Sequence, residues 1–185
     1  FKDIILSSDS KKILNLGKKY KITCFKRSKK NSGSRSRTDS ALKETVLKIK
    51  DDYDNIVILQ VTSPLRTAND IKNGIELAKS DKYDSIFSCS LVEDLYFWKK
   101  ENGFYNSVNY DWKNRKRRQD FDTQYIENGS FYLFKPEVFR QNNNRFGGRI
   151  GIVEMDFWKM FEIDSIDDLR MCSALMSEFL LNNKK

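Results

Sequence analysis

Glu162 and Asp164 stand two residues apart in the segment Phe161-Glu162-Ile163-Asp164-Ser165-Ile166-Asp167-Asp168. On an extended strand such residues share one face, about 6.6 Å apart along the backbone. Two acids on one face repel each other unless a cation lies beside them, and Mg2+ takes one or two carboxylates together with substrate phosphates. Glu162 and Asp164 are therefore the candidate metal ligands. Asp167 and Asp168 have a simpler role, because Ser165 followed by Asp168 is a capping box and acids in a first helical turn complement the helix dipole.

A second candidate is Leu59-Gln60-Val61-Thr62-Ser63-Pro64-Leu65-Arg66. It leaves the most apolar strand of the chain at its carboxyl end, where open α/β sheets bind ligands. Gln60 offers a donor and an acceptor, Thr62 and Ser63 offer hydroxyls, and Arg66 offers a fork for phosphate or carboxylate. The competing explanation is a plain strand-to-helix turn capped by Thr67.

The third is Arg115-Lys116-Arg117-Arg118-Gln119, followed by Tyr125-Ile126-Glu127-Asn128-Gly129-Ser130-Phe131-Tyr132. Four consecutive cations usually form a solvated patch, and a nucleic-acid surface would interleave aromatics among them. Asn128-Gly129 is also a common turn dipeptide.

Composition narrows the chemistry. The 185 residues contain no histidine, which removes Ser-His-Asp and Cys-His relays and any HExxH zinc site. Cys24, Cys89 and Cys172 are odd in number and far apart, so they build neither a disulfide framework nor a four-cysteine zinc cluster. They read as buried thiols of a reducing, cytoplasmic compartment. A net charge of +8 favours anionic partners. No apolar run approaches the roughly 20 residues of a membrane span, so a soluble chain is expected.

These side chains must be carried by regular elements. Asp3 to Ser8 reads as a buried strand, and Asp9 to Tyr20 as a helix capped by Ser8 or Asp9. Ile22 to Phe25 reads as a second strand, and Lys26 to Asp39 as a solvated polar loop. A helix is expected over Ala41 to Ile49, with Ile56 to Gln60 as a strand covered on both faces. Thr67 and Asp70 fit a capping box for a helix burying Ile71, Ile75 and Leu77. Further strands are expected at Ser85 to Cys89, Asn128 to Phe134 and Arg149 to Glu154. Short and long helices are expected from Pro136 and over Ile166 to Leu181. Leu91 to Gln124 loses periodicity and reads as an insertion. Strands alternating with helices at this spacing indicate an α/β domain with a largely parallel sheet.

Taken together, these motifs resemble the acylneuraminate cytidylyltransferase family, the CMP-sialic acid synthetases and their relatives. The family carries a strand ending in Ser-Thr-Asp, a Leu-Gln-Pro-Thr-Ser-Pro-Leu-Arg motif, Arg-Gln then Asn-Gly-x-x-Tyr, and Ile-Asp-Ile-Asp or Glu-Ile-Asp before a terminal helix. Here these stand as Ser7-Ser8-Asp9, Leu59 to Arg66 with Val61 for proline, Arg118-Gln119 with Asn128 to Tyr132, and Glu162-Ile163-Asp164. The family's Ala-Arg-x-Gly-Ser-Lys loop, which binds the CTP triphosphate, has no counterpart. A segment of about 30 or more residues, the size of a βαβ unit, is therefore expected to precede Phe1.

The resemblance implies a three-layer α/β/α, Rossmann-like nucleotidyltransferase fold with a mainly parallel sheet. It implies transfer of CMP from CTP to a 2-keto sugar acid, with Glu162 and Asp164 holding Mg2+ and Arg118 completing the catalytic set. Arg27, Ser40, Gln60 and Asn128 would approach the nucleotide, and Gln60, Thr62, Ser63 and Tyr132 the sugar acid. Residues 91–124 would form a dimerisation insertion, with Tyr96, Phe97, Trp98, Phe104, Tyr105 and Trp112 suited to a homodimer contact. Neither nucleic acid nor membrane is expected as a partner. Arg149 to Met155 and the Glu-Ile-Asp form resemble the branch serving bacterial surface polysaccharide or flagellin glycans. Two other readings compete: a catalytically inactive nucleotidyltransferase-like fragment, lacking the triphosphate-binding loop and acting as a binding or dimerisation module, and a basic nucleic-acid-binding domain.

Overall fold

A computed structural model describes residues 1–33, 36–49, 52–93 and 95–182, with the side chain of Arg118 outside the described part. The chain forms β1 (Ile5–Ser8), α1 (Lys11–Lys19), β2 (Thr23–Lys26), α2 (Thr38–Val46), β3 (Ile56–Leu59), α3 (Ala68–Lys79) and β4 (Ser85–Val92). It continues through β5 (Trp98–Glu101), β6 (Phe104–Ser107), β7 (Gln124–Phe134), α4 (Pro136–Asn142), β8 (Ile150–Met155) and α5 (Ile166–Met176). A π-helical turn at Ser177–Leu181 extends α5.

Helix ends follow their local chemistry. Thr67 and Asp70 cap α3 reciprocally, and Ser165 and Asp168 do the same for α5, as their spacing predicts. The cap of α1 is instead Ser10, whose hydroxyl accepts from the Ile13 N–H, while the Ser8 hydroxyl accepts from the Ser10 N–H. The polar stretch after β2 is not wholly irregular, since one 3-10 turn occupies Lys29–Asn31 and α2 begins at Thr38.

The main sheet has the order β3-β7-β4-β8. β4 and β8 are parallel, and β7 is antiparallel to both β3 and β4. Hence β3, β4 and β8 share one direction and β7 alone opposes them. β1 and β2 form a separate parallel pair. Side chains alternate across the main sheet into two cores. Phe131, Leu133, Ile86, Val153 and Val57 pack with Ile75 and Ala78 of α3 on one face. Phe134, Ile56 and Ile58 pack with Val138 and Phe139 of α4 and Leu42 of α2 on the other. Helices on both faces give the α/β architecture its layers. Among the described residues no helix is long and apolar enough to cross a membrane. The cysteines are free, with Cys89 and Cys172 buried and Cys24 only half-buried.

Residues 91–124 carry the β5–β6 hairpin and two one-turn 3-10 helices. Tyr96 packs edge-on against Tyr110 and Phe121 and lies under the Arg115 guanidinium, whereas Phe97, Trp98, Phe104, Tyr105 and Trp112 are exposed.

β7 departs from regular pairing at its centre. Phe87 pairs Tyr132 and Cys89 pairs Glu127, so the four residues Asn128 to Phe131 oppose Ser88 alone. Extra residues on one strand form a bulge, which bends the strand and re-aims its groups. Backbone groups of Ser130 and Phe131 in the bulge are satisfied internally. Ser88 donates to Asn128 Oδ1 at 2.6 Å, the Phe131 N–H donates to Ser88 Oγ at 2.9 Å, and the Ser130 N–H donates to Asn128 Oδ1 at 3.2 Å. The Asn128 amide donates to Ser90 Oγ at 3.3 Å.

Removing one partner from such a buried network leaves the others without bonds, at about 1–3 kcal/mol. Ser88→Ala is thus expected to lower unfolding free energy by that amount with an unchanged denaturant slope. Urea titration showing a loss under about 0.5 kcal/mol would mean that the bulge does not depend on this hydroxyl.

Candidate functional site

The turn leaving β3 is held from beneath. Arg66 donates to Gln60 O at 2.7 Å and to Ser130 O at 2.5 Å. Burial lowers the Arg66 pKa, yet both carbonyls accept from its charged form. The sequence offered this guanidinium as a fork for an anion; the structure commits it to clamping the turn onto the β7 bulge. Leu65 and Ser63 form the interior of the turn, each 1% exposed.

A second support comes from the far end of the turn. Lys159 is 6% exposed and donates to Asp70 at 2.9 Å, and it also pairs with Asp156 at 3.0 Å. Burial works against the ammonium charge, but the two carboxylates outweigh it and raise the Lys159 pKa. Because Asp70 also caps α3, this pair fixes the one-turn helix Phe157–Met160 against the start of α3. The segment that follows is thereby delivered to the turn, where the Ile163 N–H donates to Thr62 O at 2.8 Å.

That contact brings Glu162 into place. The segment 161–163 is not a ladder strand, in contrast to the expectation that Glu162 and Asp164 end one; its backbone tie to the turn, among the described residues, is the Ile163 bond. Thr62 Oγ1 donates to Glu162 Oε2 at 3.3 Å. The Glu162 pKa is raised, first by burial, then by repulsion from Asp164 and Glu127, against the Thr62 and Ser63 hydroxyls. The Ser63 hydroxyl is sealed from solvent and makes no hydrogen bond of standard geometry among the described residues.

Gly129 completes the group from the bulge. Its φ is +65°, a left-handed conformation that side chains resist, and a Cβ there would lie 2.1 Å from Glu162 Oε1 and 2.8 Å from Gln60 Nε2. The bulge therefore presents bare backbone to the two side chains.

The expected residues fall into distinct places. Gln60, Thr62, Ser63 and Glu162 converge, with Asp164 close enough to perturb Glu162. Asn128 lies beneath them, 1% exposed, with its side chain spent on the bulge. Tyr132 donates its hydroxyl to Glu127 under the guanidinium of Arg145, 4.1 Å from the ring; burial, then Glu127, push its pKa up to about 12. Arg27 donates to Ser7 O at 2.8 Å and lines the same large cavity as Gln60. Ser40 is exposed on α2, outside that lining, and the Arg118 side chain lies outside the described part.

Several contributors escaped sequence reading. Arg145 pairs with Asp39 at 3.0 Å and approaches Glu127 at 3.9 Å. The first pair joins residues 106 positions apart, and neither pair falls at a helical or strand spacing, so local pattern carries no trace of them. The visible clue for Gly129 was its glycine identity beside asparagine, which a turn explains equally well. Among the described residues no group of three or more His, Cys, Asp or Glu is placed to hold a metal alone.

Comparison with known proteins places this arrangement among relatives. The profile of the cytidylyltransferase family matches residues 1–185. Post-translational flagellin modification protein B of Campylobacter coli is 26% identical over 200 residues, covering 100% of this chain and 81% of the relative. N-acylneuraminate cytidylyltransferase of Streptococcus agalactiae serotype V is also 26% identical, over 189 residues. This chain is covered entirely but spans only 45% of that streptococcal protein. The solved structure of CMP:2-keto-3-deoxy-manno-octonic acid synthetase complexed with CTP superposes with a TM-score of 0.66 at 11% identity. It covers 96% of this chain and 82% of its own, which shows a shared fold.

Substitution can separate backbone strain from site geometry. Gly103 has φ +86° with nothing within 4 Å of an added Cβ, so Gly103→Ala carries strain alone. Gly129→Ala adds the collision with Glu162 and Gln60 and is expected to cost about 1–3 kcal/mol more. Equal losses for the two variants in denaturant titration would show that Glu162 does not sit against the bulge.

Proposed function

The chain belongs to the cytidylyltransferase family, and we propose that it transfers CMP from CTP to the anomeric hydroxyl of a 2-keto sugar acid of the sialic or related nonulosonic type. The observation that carries this reading is the convergence of Gln60, Thr62 and Ser63 with Glu162 and the nearby Asp164 at the end of β3. The names of the streptococcal and octonic acid relatives support the substrate class, and the flagellin-modifying relative favours a bacterial surface glycan.

In the reaction, the anomeric oxygen bonds to the α-phosphorus while the bond to pyrophosphate breaks in line. Such a transfer needs positioning and charge stabilisation more than covalent chemistry. Gln60 and the hydroxyls of Thr62 and Ser63 would orient the reacting partners by hydrogen bonding. Arg66 and Lys159 act through the turn they hold and would touch neither substrate.

The donor set suits Mg2+. Glu162 and Asp164 supply hard oxygens, and their mutual repulsion is the kind a divalent cation relieves. With only two carboxylates offered here, the remaining oxygens would come from phosphate and water. Bound there, Mg2+ would act as a Lewis acid on the phosphoryl oxygens. Glu162 and Asp164 would thus hold the ion against the nucleotide, and Arg27 would reach it from across the cavity.

The exposed aromatics Trp98, Phe104 and Tyr105 on the β5–β6 hairpin, with Trp112, suit a homodimer contact, since aromatics are enriched at interface cores. A cytoplasmic setting accords with CTP as a substrate.

The test is pyrophosphate release from CTP with Mg2+ and a panel of 2-keto sugar acids. It should be run on the 185-residue chain and on the product of its gene including any upstream segment. Turnover that falls at least about 100-fold in Asp164→Asn is expected, equivalent to about 2.7 kcal/mol of transition-state stabilisation. A folded protein that releases no pyrophosphate with any acceptor contradicts the proposal and favours a binding module.

A further inference from the structure

Glu127 is the only charged residue of β7 and stands two residues before Gly129, whose bare backbone meets Gln60 and Glu162. Its charge is one of those that repel Glu162, so the carboxylate borders the group gathered at the end of β3. Among the described residues it is hydrogen bonded to no member of that group. Glu127, Tyr132 and Arg145 are all absent from the lining of the cavity that Arg27 shares with Gln60. That cavity and Glu127 thus adjoin the same turn without overlapping.

The support of Glu127 comes from within the sheet face. The buried Tyr132 donates its hydroxyl to Glu127 Oε1. The Arg145 guanidinium lies over the Tyr132 ring and approaches the same oxygen at 3.9 Å. Phe146 stands edge-on to Tyr132, and Phe87 edge-on to Phe146, so the ring bearing the hydroxyl is itself packed in place. Both contacts fall on Oε1. Among the described residues Oε2 accepts no hydrogen bond, and the Glu127 side chain is 44% exposed. One oxygen is spent on orientation and the other is left open as an acceptor.

Charge decides what the open oxygen can meet. Arg145 is shared, since it pairs more closely with Asp39, at 3.0 Å, and no other cation pairs with Glu127 among the described residues. Two carboxylates against one guanidinium leave a net negative charge, and Glu162 adds another beside it. A second anion is repelled from such a place, and a group with lone pairs alone finds no donor there. What fits is a donor, a hydroxyl or an amide N–H, whose hydrogen bond to an ionised acceptor is about twice as strong as one between neutral groups.

We propose that Glu127 is a specificity-determining residue for the acceptor: its Oε2 takes a hydrogen bond from a hydroxyl or acylamido N–H of the sugar acid, whose own carboxylate lies away from it. Tyr132 and Arg145 are positioning residues that act through Glu127. The inference rests on the cytidylyltransferase reading above and names which part of the acceptor this side of the site reads. A site built to accept such a bond discriminates against acceptors that lack the donor, because the carboxylate is then left facing a group that cannot satisfy it.

The test is the rate of pyrophosphate release by the product of the gene, with CTP and acceptor varied separately. The acceptors are the most rapidly used 2-keto sugar acid of the panel and analogues of it that each lack one hydroxyl or the acylamido group. Glu127→Ala should lower kcat/KM for the parent acceptor by about 10-fold or more, with the KM for CTP within about twofold of wild type. One analogue should lose about 10-fold or more on the wild type and less than about twofold on Glu127→Ala, where the bond is already gone. Tyr132→Phe should lower the same acceptor kcat/KM by a smaller factor and leave the KM for CTP in place. Glu127→Gln keeps an acceptor for Tyr132, and if the alanine variant does not fold, the analogue comparison is made on it, with a smaller but like narrowing expected. Equal losses for every analogue on wild type and variant, or a change confined to the KM for CTP, overturn the inference and leave the reaction class standing. A folded wild-type protein that uses no acceptor overturns the cytidylyltransferase reading and this inference with it.

Discussion

Four residues of β7 must fit opposite Ser88 alone, and their backbone has to be satisfied inside the core. Ser88, Asn128 and Ser90 accomplish this with hydrogen bonds among groups that are each 1% exposed or less. The bent strand then turns the backbone of Gly129 toward the end of β3. The carbonyl of Ser130 becomes available to Arg66, and that bond closes the turn bearing Gln60, Thr62 and Ser63. Glu162 reaches the same point only because Gly129 has no side chain to meet it. Strand pairing, turn and acidic segment thus share one joint.

The buried cations serve this joint. Arg66 is spent on two carbonyls, and Lys159 on Asp70 and Asp156. Removing one member of a buried pair leaves an uncompensated charge, costing about 3–5 kcal/mol, so these residues fix geometry firmly. Glu162 is placed oppositely: burial and like charges disfavour its ionised form. An acid held in a setting that resists its charge is a common mark of a working group, because a cation can recover what burial costs.

Much of this was legible in the residues. The aliphatic run of β3, the capping boxes at Thr67 and Ser165, and the alternation after Asn128 each declare an element within a few positions. That Gln60, Thr62 and Ser63 stand at the end of β3 was also readable, since strand ends are where α/β sheets gather polar groups, whereas their meeting with Glu162, which lies off any strand, was not. The failures are long-range. Arg66 looks like an anion fork until Ser130, 64 positions away, supplies its acceptor. Asn128 looks like a ligand contact until Ser88 and Ser90 enclose it. Glu162 and Asp164 have the spacing of a strand end, and spacing alone cannot tell a paired segment from one tied by one backbone bond.

If the β7 bulge gathers the turn after β3 and the Glu162-Ile163-Asp164 segment into one nucleotide and metal site, CTP and a divalent metal bind there together. Anomalous diffraction from crystals of the protein grown with CTP and Mn2+, in place of Mg2+, tests it most directly. A metal peak is expected at bonding distance, about 2.0–2.2 Å, from a carboxylate oxygen of Asp164 or Glu162, with the triphosphate beside it. A metal and nucleotide bound elsewhere, with Glu162 still packed on Gly129, would contradict it.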